Sequence, residues 1–198
     1  MTKDLACEAL QRLTDGNLRY AAGEAIRPNA TESRRLEVAK APRPFAMILG
    51  CVDSRVPPEV IFDCGLGDLL VIRTAGHAID RAVLGSLELG VTDMGIPLLL
   101  VLGHDRCRAV EVAIEILESG TLAEANLGML VKAIRPAVRQ AKVQAGDLLA
   151  NSIDANVRLS PSRLATSPVL EGAMQRGDLK VVAGRYAVES GLVELMSS

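Results

Sequence analysis

The chain passes from an apolar run into a cluster of reactive side chains at Phe45-Ala46-Met47-Ile48-Leu49-Gly50-Cys51-Val52-Asp53-Ser54-Arg55. The first five of these residues are apolar without alternation, which is typical of a parallel strand buried on both faces. A second such run, Leu98–Leu102, ends at Gly103-His104-Asp105-Arg106-Cys107. Since ligands bind at the carboxyl ends of the strands in parallel sheets, the two clusters are expected to share one site.

Two further apolar runs predict the remaining parallel strands, at Leu69–Ile72 and Leu179–Ala183. Hydrophobic residues recur every fourth position over residues 79–93, which predicts a helix between two of the strands. Because strands alternate with helices in this way, the predicted fold class is α/β, with a mainly parallel central sheet flanked by helices.

The second half of the chain predicts a long helix and a closing hairpin. Residues 121–145 have a helical pattern that contains Pro136, so the helix is expected to be kinked or divided there. A C-terminal antiparallel hairpin is predicted from Tyr186–Val188 and Leu192–Leu195, because a Glu-Ser-Gly turn joins these two apolar stretches.

The whole chain, residues 1–198, is expected to form a single domain in which residues 1–40 are an N-terminal helical arm. An apolar stripe predicts a helix over residues 4–22, and Asp15-Gly16-Asn17 interrupts it, so one helix and two short helices are equally compatible with the pattern. Another short helix is predicted over residues 32–40. Two packings are open to the leading helix, one on its own domain and one across a partner subunit.

The composition limits the classes of partner. Hydrophobic residues make up 49% of the chain and aromatic residues only 2%, so the core must be aliphatic and no aromatic surface for stacking bases is expected. The net charge of −2 also argues against nucleic-acid binding. No stretch approaches roughly 18 uninterrupted apolar residues, so no membrane span is predicted. Since Met1–Arg12 has no apolar signal region, the protein is expected to be cytoplasmic.

The two polar clusters together are predicted to carry the ligands of a zinc site. In a reducing compartment, cysteines more often serve metals or catalysis than disulfides. Cys51 and Asp53 are two apart in an extended chain and therefore project to the same side. His104 and Cys107 are three apart where a helix should begin, which predicts that both lie on one helical face. Two thiolates and one imidazole suit Zn²⁺ and leave a fourth position for water or a carboxylate.

The remaining cysteines and histidine are expected to lie outside this site. Cys7 and Cys64 have no partners at a matching spacing and are predicted to be structural. His77 lies in a predicted loop, where a histidine is more often solvated than catalytic. A role as a proton shuttle stays open, because the loop is close to a strand end.

Asp53 has two alternative roles in a zinc site. It can complete the tetrahedron and close the site, or it can accept a hydrogen bond from zinc-bound hydroxide while Arg55 holds its carboxylate in a forked pair. Zinc makes hydroxide available near neutral pH because it lowers the pKa of bound water. Two thiolates neutralise the charge of the metal, so that water is expected to be less acidic than in a site of three histidines, and activity to be higher above neutral pH.

Several motifs together resemble the β-class carbonic anhydrases. They are Cys51-Val52-Asp53-Ser54-Arg55-Val56, Gly67-Asp68, Arg73-Thr74-Ala75-Gly76, and Gly103-His104 with Cys107. The resemblance implies a carbonate dehydratase, a zinc lyase that interconverts CO2 with bicarbonate and a proton by attack of zinc-bound hydroxide. It implies zinc ligands at Cys51, His104 and Cys107. It also implies that Asp53, paired with Arg55, joins the metal in the closed state of the site.

The same resemblance carries expectations about assembly and substrate. It implies a homodimer or tetramer, with active sites near the dimer interface and N-terminal helices that reach over the partner. It also implies a substrate pocket for CO2 and bicarbonate at Leu70, Ala75 and Leu89. These expectations come from the family, since spacing and periodicity alone do not define a pocket or an interface.

Three positions depart from the family pattern. Pro42 stands where the family usually has a glutamine that hydrogen-bonds substrate, Leu89 where a tyrosine lines the CO2 pocket, and Arg108 where a glycine follows the second zinc cysteine. Two alternative functions to CO2 hydration therefore remain open. One is hydrolysis of carbonyl sulfide or carbon disulfide, and the other is a catalytically weak, zinc-stabilised homologue with a structural or sensing role. In some members of the family, bicarbonate inhibits the enzyme at a site that contains a tryptophan. Ile48 stands at that position here, and inhibition by bicarbonate is therefore not expected.

Overall fold

The computed structural model describes residues 2–196, and this part of the chain contains one five-stranded sheet. Its strands are β1 (Ala46–Cys51), β2 (Leu69–Thr74), β3 (Leu98–His104), β4 (Lys180–Tyr186) and β5 (Val193–Met196). They lie in the order β2-β1-β3-β4-β5. The first three neighbouring pairs are parallel, and β4 pairs with β5 antiparallel. The predicted fold class is therefore confirmed.

Helices connect the strands and flank the sheet. Within residues 2–196 they are α1 (Thr2–Ala21), α2 (Glu32–Val38), α3 (Pro58–Ile61), α4 (Arg81–Thr92), α5 (Arg108–Ser119), α6 (Leu127–Ala141), α7 (Leu148–Arg158), α8 (Ser160–Leu164) and α9 (Pro168–Arg176). A 3₁₀ turn, Ala75–His77, follows β2. Over the same residues, no helix is both long enough and apolar enough to cross a membrane.

The central strands β1 and β3 are buried along their whole length. Alternate side chains of a strand point to opposite faces of the sheet. On one face Met47 packs in a cluster with Leu87 of α4, and on the other Ile48 packs in a cluster with Leu13 of α1. Both faces are therefore covered, which explains why the strands appear in the sequence as unbroken apolar runs.

The N-terminal segment forms one helix that packs on the sheet of its own chain. Gly16 lies within α1 against α3, where a Cβ atom would come 2.0 Å from the Phe62 carbonyl oxygen. The side-chain amide of Asn17 donates to the carbonyl oxygens of Ile61 and Gly191, and its oxygen accepts from the N–H of Val193. Gly16 and Asn17 therefore permit a close contact of α1 and do not divide the helix.

Two predicted elements need correction. The predicted C-terminal antiparallel hairpin is confirmed as β4–β5, but its first arm is not a separate strand at Tyr186–Val188, because β4 itself runs on to Tyr186 and its residues Ala183–Tyr186 pair with β5. Gly184 and Arg185 interrupt the apolar pattern there, so the sequence concealed the length of β4. The helix predicted over residues 121–145 spans only Leu127–Ala141, and Pro136 lies inside it without dividing it.

Candidate metal centre

The two polar clusters meet at the carboxyl edge of the sheet. Cys51 is the last residue of β1, and His104 is the last residue of β3. Cys107 is the N-cap of α5 and directly follows the turn formed by Asp105 and Arg106. Because β1 and β3 are parallel neighbours, their ends bring the two clusters together, as the sequence predicted.

The expectation that His104 and Cys107 share a helical face is wrong. His104 belongs to a strand and Cys107 precedes the helix. Between them Arg106 adopts a left-handed conformation with φ of 51°, which reverses the chain direction. The turn, rather than a helical repeat, therefore brings the two side chains to the same point.

Cys51, His104 and Cys107 form a compact buried cluster. One ligand atom from each lies within 4.8 Å of the others, and all three residues are buried. The two sulfur atoms are 3.9 Å apart and both thiols are free. That separation is almost twice the length of a disulfide bond, about 2.05 Å, and leaves room for an ion between the sulfurs.

The imidazole of His104 is oriented as a metal ligand. Its Nδ1 lies 2.8 Å from the Asp105 carbonyl oxygen, which can only accept, so Nδ1 carries the hydrogen. Nε2 then presents a lone pair towards the cysteines, and it is buried with no hydrogen-bond partner among residues 2–196. A buried nitrogen left without a partner beside two sulfurs matches the donor set of a zinc site.

The electrostatics of the sulfur pair favour one thiolate. The hydrogen bond with Cys107 lowers the pKa of Cys51, and the same bond raises the pKa of Cys107. The pair therefore holds a single proton near neutral pH. The N–H of Gly76 also donates to Cys51 Sγ at 3.3 Å, which stabilises the negative sulfur further. Burial by itself lowers the pKa of His104, but the nearby Cys51 sulfur, the Asp105 carbonyl and the Asp53 carboxylate together raise it.

Asp53 lies at the mouth of this cluster in a forked pair with Arg55. The guanidinium donates from Nε to Oδ1 at 3.0 Å and from Nη2 to Oδ2 at 2.8 Å. This pairing lowers the pKa of Asp53 to about 2, so the carboxylate is ionised at any physiological pH. Its Oδ2 is 3.9 Å from Nε2 of His104. The carboxylate is thus held by Arg55 while it stays close to the cysteines and histidine.

Arg73 supports the site, although the sequence motif alone did not indicate how. Its Nε donates to the Cys51 carbonyl oxygen at 2.7 Å, and its Nη2 donates to the Asp53 carbonyl oxygen at 2.5 Å. The signal in the sequence that could have indicated this role is an arginine near the end of the otherwise apolar strand β2. Its two bonds fix the backbone on which both functional side chains are carried.

His77 is not the solvated loop residue that was predicted. It is buried, and Nδ2 of Asn156 lies 3.1 Å from its Nε2. Burial lowers the pKa of His77 to about 4, so its imidazole is neutral at physiological pH. Asn156 gave no signal in the sequence, because its role depends on the packing of α7 behind the 3₁₀ turn.

The residues expected in a substrate pocket are spread over the chain. Ala75 precedes Gly76 in the 3₁₀ turn and so adjoins the cluster. Leu70 lies four residues before Thr74, the register partner of Cys51, or roughly 13 Å along β2. Leu89 is 50% exposed on α4. Within one chain, the structure thus brings only Ala75 of the three next to the cysteines.

The residues outside the expected site have other contacts. Arg108 faces along its own helix, with Nη1 at 3.0 Å from Glu111 and 2.8 Å from Glu115. Pro42 is exposed in the segment before β1. Cys7 is exposed, whereas burial raises the pKa of Cys64 to about 12 and keeps that thiol protonated. Neither cysteine belongs to the cluster.

Comparison with known proteins agrees with this geometry. A family model described as carbonic anhydrase matches residues 46–193. A carbonic anhydrase of Mycolicibacterium smegmatis is 37% identical over 192 residues, which cover 96% of this chain and 92% of the relative. The structure of a Coccomyxa β-carbonic anhydrase in complex with acetazolamide is 25% identical, with a TM-score of 0.73 over 93% of this chain and 84% of that chain.

The fold also matches that of a tetrameric β-carbonic anhydrase from Sordaria macrospora. The TM-score is 0.73 at 18% identity, over 83% of this chain and 86% of that chain, which shows likeness of fold alone. The match to the family model includes both polar clusters and most of the chain. These findings confirm the resemblance found in the sequence: the chain belongs to the β-class carbonic anhydrases, a family of carbonate dehydratases.

Proposed function

We propose that this protein catalyses the reversible hydration of CO2 to bicarbonate and a proton, with Zn²⁺ held by Cys51, His104 and Cys107. The observation that carries the proposal is the cluster of two sulfurs and one nitrogen within 4.8 Å, all buried. The free lone pair of Nε2 in His104 supports the same ligand set. Three protein ligands leave a fourth position, as catalytic zinc sites require.

Zinc bound at these residues would supply hydroxide near neutral pH, because the metal lowers the pKa of a coordinated water. The part played by Asp53 follows from its pKa of about 2, since an ionised carboxylate can only accept a hydrogen bond. From its position beside His104, Asp53 would accept a hydrogen bond from the nucleophile and so orient it towards CO2.

Arg55 keeps the site open in this proposal. Its two bonds keep the Asp53 carboxylate paired with the guanidinium, so that the fourth position would stay available for water. The distance of 3.9 Å between Asp53 Oδ2 and His104 Nε2 is short enough for a side-chain rotation to bring the carboxylate to the ligands. The Asp53–Arg55 pair therefore serves as a switch between an open and a closed metal site.

We propose a homodimer or tetramer that packs on the outer edge of β2. Within the described residues, β2 is an edge strand of the sheet, so one side of its backbone is left for another chain. Leu66, which precedes β2, and Leu89 of the adjoining α4 are 45% and 50% exposed. A second copy on this edge would cover both leucines and close the substrate pocket near Leu70 and Ala75.

Stopped-flow CO2 hydration by the zinc-loaded protein tests the proposal. We expect turnover at pH 7 and faster turnover at pH 8.5, because two thiolates make a coordinated water less acidic than three histidines would. Asp53→Ala, measured beside it, should lose most of the activity. Absence of hydration above the buffer rate at both pH values would overturn the proposal.

A second candidate is hydrolysis of carbonyl sulfide or carbon disulfide by the same site. Pro42 favours it, because a proline side chain offers no hydrogen-bond donor to an oxygen-rich substrate such as bicarbonate. Leu70 and Leu89 would give the pocket an aliphatic lining suited to a less polar substrate. Turnover of carbonyl sulfide by a sample that fails to hydrate CO2 would favour this candidate, whereas activity on neither would indicate a structural or sensing homologue.

A further inference from the structure

A buried turn behind the metal centre presents a hydrogen-bond donor to Cys51. The N–H of Gly76 donates to Cys51 Sγ at 3.3 Å, and both residues are buried. A Cβ atom on Gly76 would lie 3.0 Å from Cδ1 of Ile134 and 3.3 Å from Cβ of Ala109. The turn is therefore closely enclosed by α5 and α6, and the direction of this N–H depends on the contacts that hold the turn.

The backbone of the turn requires such contacts. Gly76 has φ of 59°, and His77 has φ of 44°. The left-handed region is open to glycine but costly for histidine, which carries a Cβ atom. Strained conformations of this kind persist only where the surrounding structure holds them. Without a specific contact, the peptide units around Gly76 would relax and turn their N–H away from the sulfur.

Asn156 of α7 supplies the contact. Its side-chain amide is buried and donates from Nδ2 to the Gly76 carbonyl oxygen at 2.9 Å. The same nitrogen lies 3.1 Å from Nε2 of His77. Gly76 is therefore held on both sides, by Cys51 at its N–H and by Asn156 at its carbonyl.

Arg163 fixes which way the amide of Asn156 points. Its Nη1 donates to Oδ1 of Asn156 at 2.9 Å, and its Nη2 donates to the Ala133 carbonyl oxygen at 2.9 Å. Because a guanidinium can only donate, the amide oxygen must face Arg163 and the amide NH2 must face the turn. The chain of contacts thus runs in one direction, from Arg163 through Asn156 and Gly76 to Cys51.

We propose that Asn156, supported by Arg163, is a positioning residue for the metal centre. It aims the N–H of Gly76 at the Cys51 sulfur, and so stabilises the thiolate in the orientation that a metal requires. The inference rests on the metal binding proposed above. Groups that orient a metal ligand through a hydrogen bond commonly change metal affinity by about 10- to 100-fold.

Asn156→Leu tests the proposal, because leucine is of similar size and has no donor. Zn²⁺ affinity is measured by competition with a chelator, and Co²⁺ is titrated to follow the thiolate-to-metal charge-transfer band. We expect a loss of affinity of about tenfold or more. The Co²⁺ band should move to lower energy, because the sulfur loses a hydrogen bond. Asn151→Leu is the matched control, since Asn151 is on the same helix and donates to Ala145.

A second variant and a metal-free measurement cover the case in which Asn156→Leu does not fold. Arg163→Met leaves Asn156 in place but removes the group that orients its amide. In the metal-free protein, exchange of the Gly76 amide hydrogen should accelerate by about tenfold in either variant and stay unchanged in Asn151→Leu.

Two outcomes would overturn the inference. The first is a folded Asn156→Leu or Arg163→Met variant in which Zn²⁺ affinity, the Co²⁺ band and Gly76 exchange are all unchanged. It would show that the turn keeps its conformation without Asn156 and Arg163. If the unsubstituted chain binds neither metal, the metal site of the proposed function fails together with the inference. Failure of the inference alone is recognised when the unsubstituted chain binds both metals and the folded variants leave Zn²⁺ affinity, the Co²⁺ band and Gly76 exchange unchanged.

Discussion

Arg73 is bonded to the backbone carbonyl of Cys51 across the β1–β2 edge, with 2.7 Å between its Nε and the carbonyl oxygen. The same guanidinium reaches the carbonyl of Asp53. The side chain of Arg73 therefore fixes the backbone of Cys51, a candidate metal ligand, and of Asp53, whose carboxylate lies at the mouth of the metal centre. A change at Arg73 should consequently disturb the metal centre without touching any of its side chains.

Replacement of Arg73 by glutamine is expected to destabilise the protein by about 3 kcal/mol or more, because it removes two hydrogen bonds from a charged donor, which contribute about 1.5–3 kcal/mol each. Activity should fall together with metal affinity, by about tenfold or more. Urea unfolding and kcat/KM for CO2 measure the two effects. Arg108→Gln is the control, since Arg108 bonds exposed glutamates on its own helix. Equal results for the two variants would contradict the role of Arg73.

Removal of Arg55 is expected to raise the pKa of Asp53. The hydrogen bond from Arg55 is the main reason that this pKa is about 2, so in Arg55→Met it should move towards the ordinary value of about 3.9. A carboxyl whose pKa is depressed in the folded state adds stability above its unfolded pKa, and that stability is lost as the pH falls through the folded pKa. Arg55→Met should therefore lose less stability than the unsubstituted protein between about pH 4 and pH 2.

A carbon-13 NMR titration of the Asp53 carboxyl in metal-free protein measures this shift directly. Arg106→Met is a suitable control, because Arg106 pairs with the exposed Glu189 at 2.6 Å. An Asp53 midpoint that is the same in Arg55→Met and in the unsubstituted chain would contradict the prediction.

Zinc binding is expected to release at least one proton at pH 7. The hydrogen bond to Cys51 raises the pKa of Cys107, so its thiol is protonated before the metal binds and must ionise to become a ligand. Zinc affinity should therefore increase with pH. Calorimetry in buffers of different ionisation enthalpy counts the protons, and Cys107→Ser serves as the comparison. A proton count of zero in the unsubstituted protein would contradict the assignment of Cys107 as a ligand.

Gly16→Ala is expected to destabilise the protein by about 1–3 kcal/mol, because the new methyl group would meet the rigid backbone carbonyl of Phe62. Gly85→Ala is the matched control on α4. A Cβ at Gly85 meets no described atom within 4 Å, so the same change should stabilise by about 0.5–1 kcal/mol. Denaturant unfolding measures both. A neutral Gly16→Ala would show that α1 can move away from α3.

The sheet could be predicted because its information is local. Strands β1 and β3 lie between helices on both faces, and such burial leaves unbroken apolar runs in the sequence. Cys51 and His104 then come together because the carboxyl ends of neighbouring parallel strands lie at the same edge of the sheet. The grouping of the three metal-ligand candidates needed no knowledge of distant contacts.

The rest of the site depends on contacts that sequence spacing does not contain. His77 is in a loop, and only the packing of α7 makes it buried. Asn156 is a helical residue far along the chain, without a neighbouring motif. The shared helical face predicted for His104 and Cys107 failed because Arg106 adopts a left-handed conformation. In each case a tertiary contact or a single backbone angle overrode the local pattern.

The three bonds of Asn17 have a consequence for the order in which the protein is assembled. Two of its partners, Gly191 and Val193, lie 174 and 176 residues further along the chain. During synthesis, α1 leaves the ribosome before the five strands but cannot complete its docking until residue 193 has emerged. Helix α1 is thus made before the strands it packs on and is secured late, and until then its apolar face needs protection from aggregation.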